Sequence, residues 1–211
     1  MRPLLKSPNL WGFFIDFLRN CDTLIFMMKQ IAFLDMDGVL SDFAEQAQRV
    51  CGINVRSFVN RTTALTPIEV AQQKSVFYQA DYSNEFWKTM PMMPFAKEVF
   101  EYVRQNFDDV FILSKFVPPL KNPERLGAVS YLKKFWFYEN ICSDYPMDHI
   151  VVSDQVKSRF LPQNAVGVLI DDQKENVAEW EKAGGKGIVY KDYLDLQTQV
   201  LKLKLLQKGR D

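Results

Sequence analysis

Five short apolar runs, QIAFLDM, DVFILS, HIVVSD, VGVLIDD and KGIVY, recur along the 211-residue chain, and the first four run into Asp or Ser at their C-terminal ends. A strand apolar on every residue must be buried on both faces, whereas a strand with one face in water alternates. Most of the intervals between the runs carry helical periodicity. FAKEVFEYVRQNF places Phe95, Val99, Tyr102 and Val103 on one face, and SYLKKFWFYEN and QKENVAEWEKAGG follow the same rule, the last closed by Gly184-Gly185. The pattern predicts an α/β chain built on a Rossmann-like parallel sheet with helices on both faces. Residues 43–93 break the alternation. They hold the helical patterns FAEQAQRV and TPIEVAQQKSVFYQA and no strand, and they are too long for a strand-to-helix loop. They are expected to form a small helical cap inserted after the first strand, leaving 28–42 and 94–211 as the core.

Composition narrows the functional classes. Lys+Arg and Asp+Glu balance at 26 each, so no broad basic field draws long nucleic acid or an anionic membrane. The three cysteines, Cys21, Cys51 and Cys142, are scattered, and His149 is the single histidine. That pattern argues against a disulfide framework or a zinc site and for a reducing, cytoplasmic compartment. Residues 1–27 begin basic and turn aromatic. Asp16, Arg19 and Asp22 interrupt any membrane span, and no small-residue cleavage site follows. They read as an N-terminal extension for which Met27-Met28 offers an alternative start; a transit peptide and an amphipathic helix packed on the domain are the other readings.

In an open parallel sheet, ligands bind outside the carboxyl ends of the strands. The polar candidates fall there: Asp35 and Asp37 after the first strand, Ser114 after the second, Asp154 and Lys157 after the third, and Asp171 with Asp172 after the fourth. Like charges crowded at the end of a buried strand are costly unless a cation or reacting group compensates. Asp35, Asp37, Asp171 and Asp172 form a hard oxygen set suited to Mg²⁺, which favours carboxylates together with substrate phosphate. Ser114 can donate to a phosphoryl oxygen, and Lys157 can offset charge that spreads over that group. Asp35 is placed to attack as a nucleophile, and Asp37 to protonate the leaving oxygen and then activate water. Gly38, directly after Asp37, permits the tight backbone that such an arrangement requires.

These positions resemble the four motifs of the haloacid dehalogenase superfamily of phosphotransferases: D-x-D-G-V at 35–39, a strand ending in Ser114, Lys157, and a strand ending in Asp171-Asp172. Within it, DMDGVLSDF, EFWKTMPMMPFAKEVFEYV and VLIDDQKENVAEWEKAGGKGIVY are most similar to the 5'(3')-deoxyribonucleotidases, the cytosolic type C nucleotidases and their bacterial and phage relatives. The resemblance implies an Mg²⁺-dependent hydrolase of nucleoside monophosphates. In it Asp35 is nucleophile and metal ligand, Asp37 is acid/base and ligand through its backbone carbonyl, and Asp171 or Asp172 supplies the remaining metal carboxylate. Phe43, Phe86 and Trp87 match positions whose rings enclose the base; packing into the cap core is the alternative. The family's Thr-Ser-Pro is replaced by Ser114-Lys115-Phe116, which adds a charge near the phosphate, and Lys115 or Lys121 could stand in for Lys157.

The expected partner is therefore a small phosphorylated molecule, a nucleoside monophosphate first, with neither long nucleic acid nor membrane, and with a homodimer one option for assembly. A sugar phosphate, a nucleic acid 3'-phosphate and a catalytically idle phospho-ligand binder are the alternatives. Dehalogenation would leave Asp37 unexplained.

Overall fold

The computed structural model describes residues 28–52, 54, 55, 66, 68, 84–115 and 123–208. Residues 1–27 with Cys21, most of the expected helix over 66–80, Phe116 and Lys121 lie outside the described residues.

All five apolar runs form strands: β1 (Gln30–Leu34), β2 (Asp109–Lys115), β3 (Ile150–Ser153), β4 (Val166–Asp171) and β5 (Lys186–Val189). They pair in parallel in the order β3-β2-β1-β4-β5. The helices are α1 (Phe43–Cys51), α2 (Asn84–Lys88), α3 (Ala96–Asn106), α4 (Pro123–Asn140), α5 (Lys174–Lys182) and α6 (Tyr193–Lys208).

The strands are apolar throughout because successive side chains face two separate cores. Phe33, Leu113 and Leu169 pack with Val177 and Trp180 of α5. Their neighbours Ala32, Leu34, Ile112, Val168 and Ile170 face the larger core, formed with Val99, Phe100 and Val103 of α3, Trp136 and Phe137 of α4, and Leu196 and Val200 of α6. On α3 the inward residues are Ala96, Val99, Phe100 and Val103, with Tyr102 half-buried. Phe95 was expected on that face. It instead precedes the helix at φ 61°, 61% exposed, and stacks on Tyr193 at 6.1 Å, because the helix starts one residue later.

The chain leaves the sheet after β1, where β2 lies on one side and β4 on the other. That reversal opens a crevice at the carboxyl ends of β1 and β4. A tight turn follows: Leu40 and Ser41 both donate backbone N–H to Met36 O at 2.8 Å, and Gly38 adopts φ 86°. Asp42 then caps α1 by accepting from Glu45 N at 2.9 Å. The buried Gln46 donates to Phe86 O and to Thr89 Oγ1, while Arg49 donates to Thr89 O at 2.6 Å. These bonds clamp α1 to α2 on either side of the 53–83 interval. Among the described residues no helix is long and apolar enough to cross a membrane.

Candidate active site

The crevice gathers the polar ends of β1, β2 and β4 and the 3₁₀ turn Lys157–Phe160 that follows β3. Asp35 continues β1, and its N–H donates to Ile170 O at 2.9 Å, so the backbone register fixes it beside Asp171. Lys157 is buried with its ammonium 2.7 Å from Asp35 Oδ1 and 2.7 Å from Asp171 Oδ2. Asp171 is fully buried and saturated: Oδ1 accepts from Gln173 N at 2.8 Å, and both oxygens accept from Asn176 Nδ2 at 3.0–3.2 Å.

Asp172 differs from its neighbour. Its Oδ1 is buried without a hydrogen-bond partner, and its carboxylate lies against Gly38, where a Cβ would come within 2.5 Å of Oδ2. Gly38 is therefore required twice, by its left-handed backbone and by the space Asp172 fills. Asp35, Asp171 and Asp172 each offer an oxygen, the three within 4.8 Å of one another.

Electrostatics follow from this crowding. Burial raises the Asp35 carboxyl to about 8, opposed by Lys157 and reinforced by Asp171, Asp172 and Asp37. Burial likewise raises Asp172 to about 7, with Asp171 adding and Lys157 opposing. Burial works against the Lys157 ammonium, but Asp35 and Asp171 outweigh it and hold the group charged. Four carboxylates face two buried ammonium groups, an excess of two negative charges when all are ionised. Hard oxygen donors, an orphaned buried carboxylate oxygen and that excess together fit a hard divalent cation such as Mg²⁺.

The second ammonium belongs to Lys133 of α4, a residue the sequence reading did not single out. It is 2% exposed and donates to Asp37 Oδ2, to Ser114 Oγ at 2.8 Å and to Lys115 O at 3.2 Å. Asp37 is held from the other side by Ser41 Oγ at 3.0 Å. The structure thus brings Asp35, Asp37, Ser114, Lys157, Asp171 and Asp172 into one connected cluster. The Asp154 and Lys115 side chains are exposed.

Phe43, Phe86 and Trp87 also come together, with centroids 5.2–6.0 Å apart. Phe86 and Trp87 are 0% and 3% exposed within the larger core, and Phe43 is half-buried. The Trp87 ring lies 5.2 Å from Lys133 Nζ and so connects this cluster to the polar one. It also lines a cavity of about 280 Å³ with Leu132, Phe135 and Trp136.

No protein-family model matches the chain, and no curated protein matches it in sequence. Among solved structures it is similar to a HAD family enzyme of Bacteroides thetaiotaomicron, a wild-type protein in complex with magnesium and inorganic phosphate. The identity is 14%, with 78% of this chain and 94% of the other covered, and the TM-score is 0.38.

Proposed function

We propose that the chain is a Mg²⁺-dependent phosphomonoester hydrolase of the haloacid dehalogenase superfamily that works through an aspartyl-phosphate on Asp35, with nucleoside monophosphates as substrates. One observation carries the reading: Asp35 is bound by the Lys157 ammonium and lies within 4.8 Å, oxygen to oxygen, of Asp172, whose buried Oδ1 has no hydrogen-bond partner, with Asp37 two residues on and separately anchored. A purely structural cluster would satisfy the buried Asp172 oxygen and would not gather four carboxyl groups around two ammonium groups at a sheet edge.

In this reading Asp35 and Asp172 supply metal carboxylates, and the Asp37 backbone carbonyl a third oxygen. Asp171, already saturated, orients Lys157 instead. The metal, when bound, offsets charge on the phosphoryl oxygens. Asp35 attacks phosphorus as the bond to the leaving oxygen breaks, and Asp37 delivers a proton to that oxygen. Asp37 then takes a proton from water, whose oxygen attacks phosphorus and releases phosphate from Asp35. Ser114 donates to a phosphoryl oxygen, and Lys157 balances its charge. Phe43 would stack on the base, backed by Phe86 and Trp87. The burial of Phe86 and Trp87 supports a second reading, a small sugar phosphate that needs no base platform. A reducing, cytoplasmic setting is part of the same reading, on the three scattered cysteines of the sequence.

The test is phosphate release from nucleoside 5' and 3' monophosphates, common sugar phosphates and p-nitrophenyl phosphate, with Mg²⁺ or with chelator, by wild type and Asp35→Asn. Mg²⁺-dependent release that Asp35→Asn abolishes is expected. Activity surviving in Asp35→Asn or in chelator overturns the mechanism, and a profile indifferent to the base moves the substrate to the second reading.

A further inference from the structure

Lys133 lies on α4, outside every motif that pointed to the site, yet it is among the largest fully buried side chains of the described residues. A buried ammonium is costly unless each of its three donors is used. Here all three go to the site: Asp37 Oδ2, Ser114 Oγ at 2.8 Å and Lys115 O at 3.2 Å. Lys157 already balances Asp35 and Asp171 on the other side of the crevice, so Lys133 is a separate cation assigned to the other carboxylate.

Its geometry constrains two groups at once. Asp37 accepts from Ser41 Oγ at Oδ1 and from Lys133 at Oδ2, so both oxygens are held from opposite sides and the carboxylate cannot rotate freely. Ser114 Oγ accepts from Lys133, which leaves its own hydrogen free to donate into the crevice. The Trp87 face above Nζ closes off the remaining direction.

From this arrangement, which rests on the phosphatase reading above, we infer that Lys133 is a positioning residue that aims Asp37 at the leaving oxygen and the Ser114 hydroxyl at the phosphoryl group. A leaving group that needs a proton should then depend on Lys133 far more than one that does not. In an alkyl ester, as in a nucleoside or sugar phosphate, the P–O bond breaks as the Asp37 proton passes to the departing alkoxide. In p-nitrophenyl phosphate the phenolate departs with the electron pair and needs no proton.

The experiment compares kcat/KM, which reports events up to departure of the leaving group, for p-nitrophenyl phosphate and for the nucleoside or sugar phosphate that the wild type turns over best. The variants are Lys133→Met, of matching length without charge or donors, and Lys133→Gln, which keeps a donor. For Lys133→Met, kcat/KM on the alkyl ester should fall by about 10²-fold or more, the range of a misdirected general acid, and about tenfold more than on the aryl ester. Lys133→Gln should recover part of that difference. Equal fold losses on the two esters, or no loss, overturn the inference, since a merely structural lysine would damage both reactions alike. If thermal melting shows Lys133→Met unfolded, the same ester comparison in Lys133→Gln decides. A wild type inactive on both esters fails the phosphatase reading itself and takes this inference with it. An active wild type with equal losses in the variants removes only the role of Lys133.

Discussion

Gly38→Ala is the smallest change that should dismantle the site. At φ 86° an alanine enters the left-handed region, which costs about 1–2 kcal/mol. Its Cβ would also stand 2.5 Å from Asp172 Oδ2 and 2.7 Å from Cγ. Ordinary carbon contacts are about 3.5–4.0 Å, so the Asp172 carboxylate must retreat by roughly 1 Å. Mg²⁺ demands near-ideal octahedral oxygens at about 2.0–2.1 Å, and a displacement of that size removes one of its carboxylates. Gly52→Ala supplies the control: at φ 68° it carries a comparable backbone penalty, but a Cβ there has nothing within 4 Å. The assay is thermal melting with and without Mg²⁺. At about 100 times its Kd, Mg²⁺ should stabilise the wild type by about 2.7 kcal/mol. At roughly 2–4 °C per kcal/mol for a chain of this size, that is a Tm rise of about 5–10 °C. Both variants should melt below the wild type without metal. Gly52→Ala should keep the Mg²⁺ shift, and Gly38→Ala should lose most of it. A full Mg²⁺ shift in Gly38→Ala would refute the assignment of Asp172 to the metal.

Two further outcomes are expected. Asp35 and Asp172 are raised from 3.8 to about 8 and about 7, so between about pH 4 and 8 the metal-free folded chain binds more protons than the unfolded one. Stability in chelator should therefore fall as pH rises through that window, while the stabilisation by Mg²⁺, which binds the ionised carboxylates, should grow; melting across pH with chelator or Mg²⁺ measures both, and metal-free stability rising with pH would contradict the burial argument. Phe43→Leu should raise KM for a nucleoside monophosphate about 5- to 150-fold, as stacking worth about 1–3 kcal/mol implies, and an unchanged KM would place the base elsewhere.

The sheet was legible because its strands are buried on both faces and so read as uninterrupted apolar runs. The site was legible for the same reason: Asp35, Ser114 and Asp171 are conspicuous where each run ends, and parallel pairing carries those ends to one edge. Lys133 was not, because YLKKFWF reads as a helix with two surface lysines. A signal was nevertheless present. Lys133 falls four residues after Val129 and four before Phe137, on the buried stripe, whereas Lys134 beside it donates from a more open position to Met147 O. The separate duties of Asp171 and Asp172 could not be read from adjacency. Successive residues at a strand end point to different sides, and only the partners from Gln173 and Asn176 show that one carboxylate is saturated while the other keeps an unused oxygen.

The claim that Asp35 carries the phosphoryl group is tested most directly by trapping it. Asp37→Asn removes the base that activates water for the second step but leaves an aryl ester able to depart unaided. Mixing this variant with p-nitrophenyl phosphate and Mg²⁺, quenching in acid and mapping peptides by mass should find one phosphoryl group on the peptide that contains Asp35, formed with a stoichiometric burst of p-nitrophenol. A burst with the phosphoryl group on another residue, or turnover with none trapped, would contradict the account.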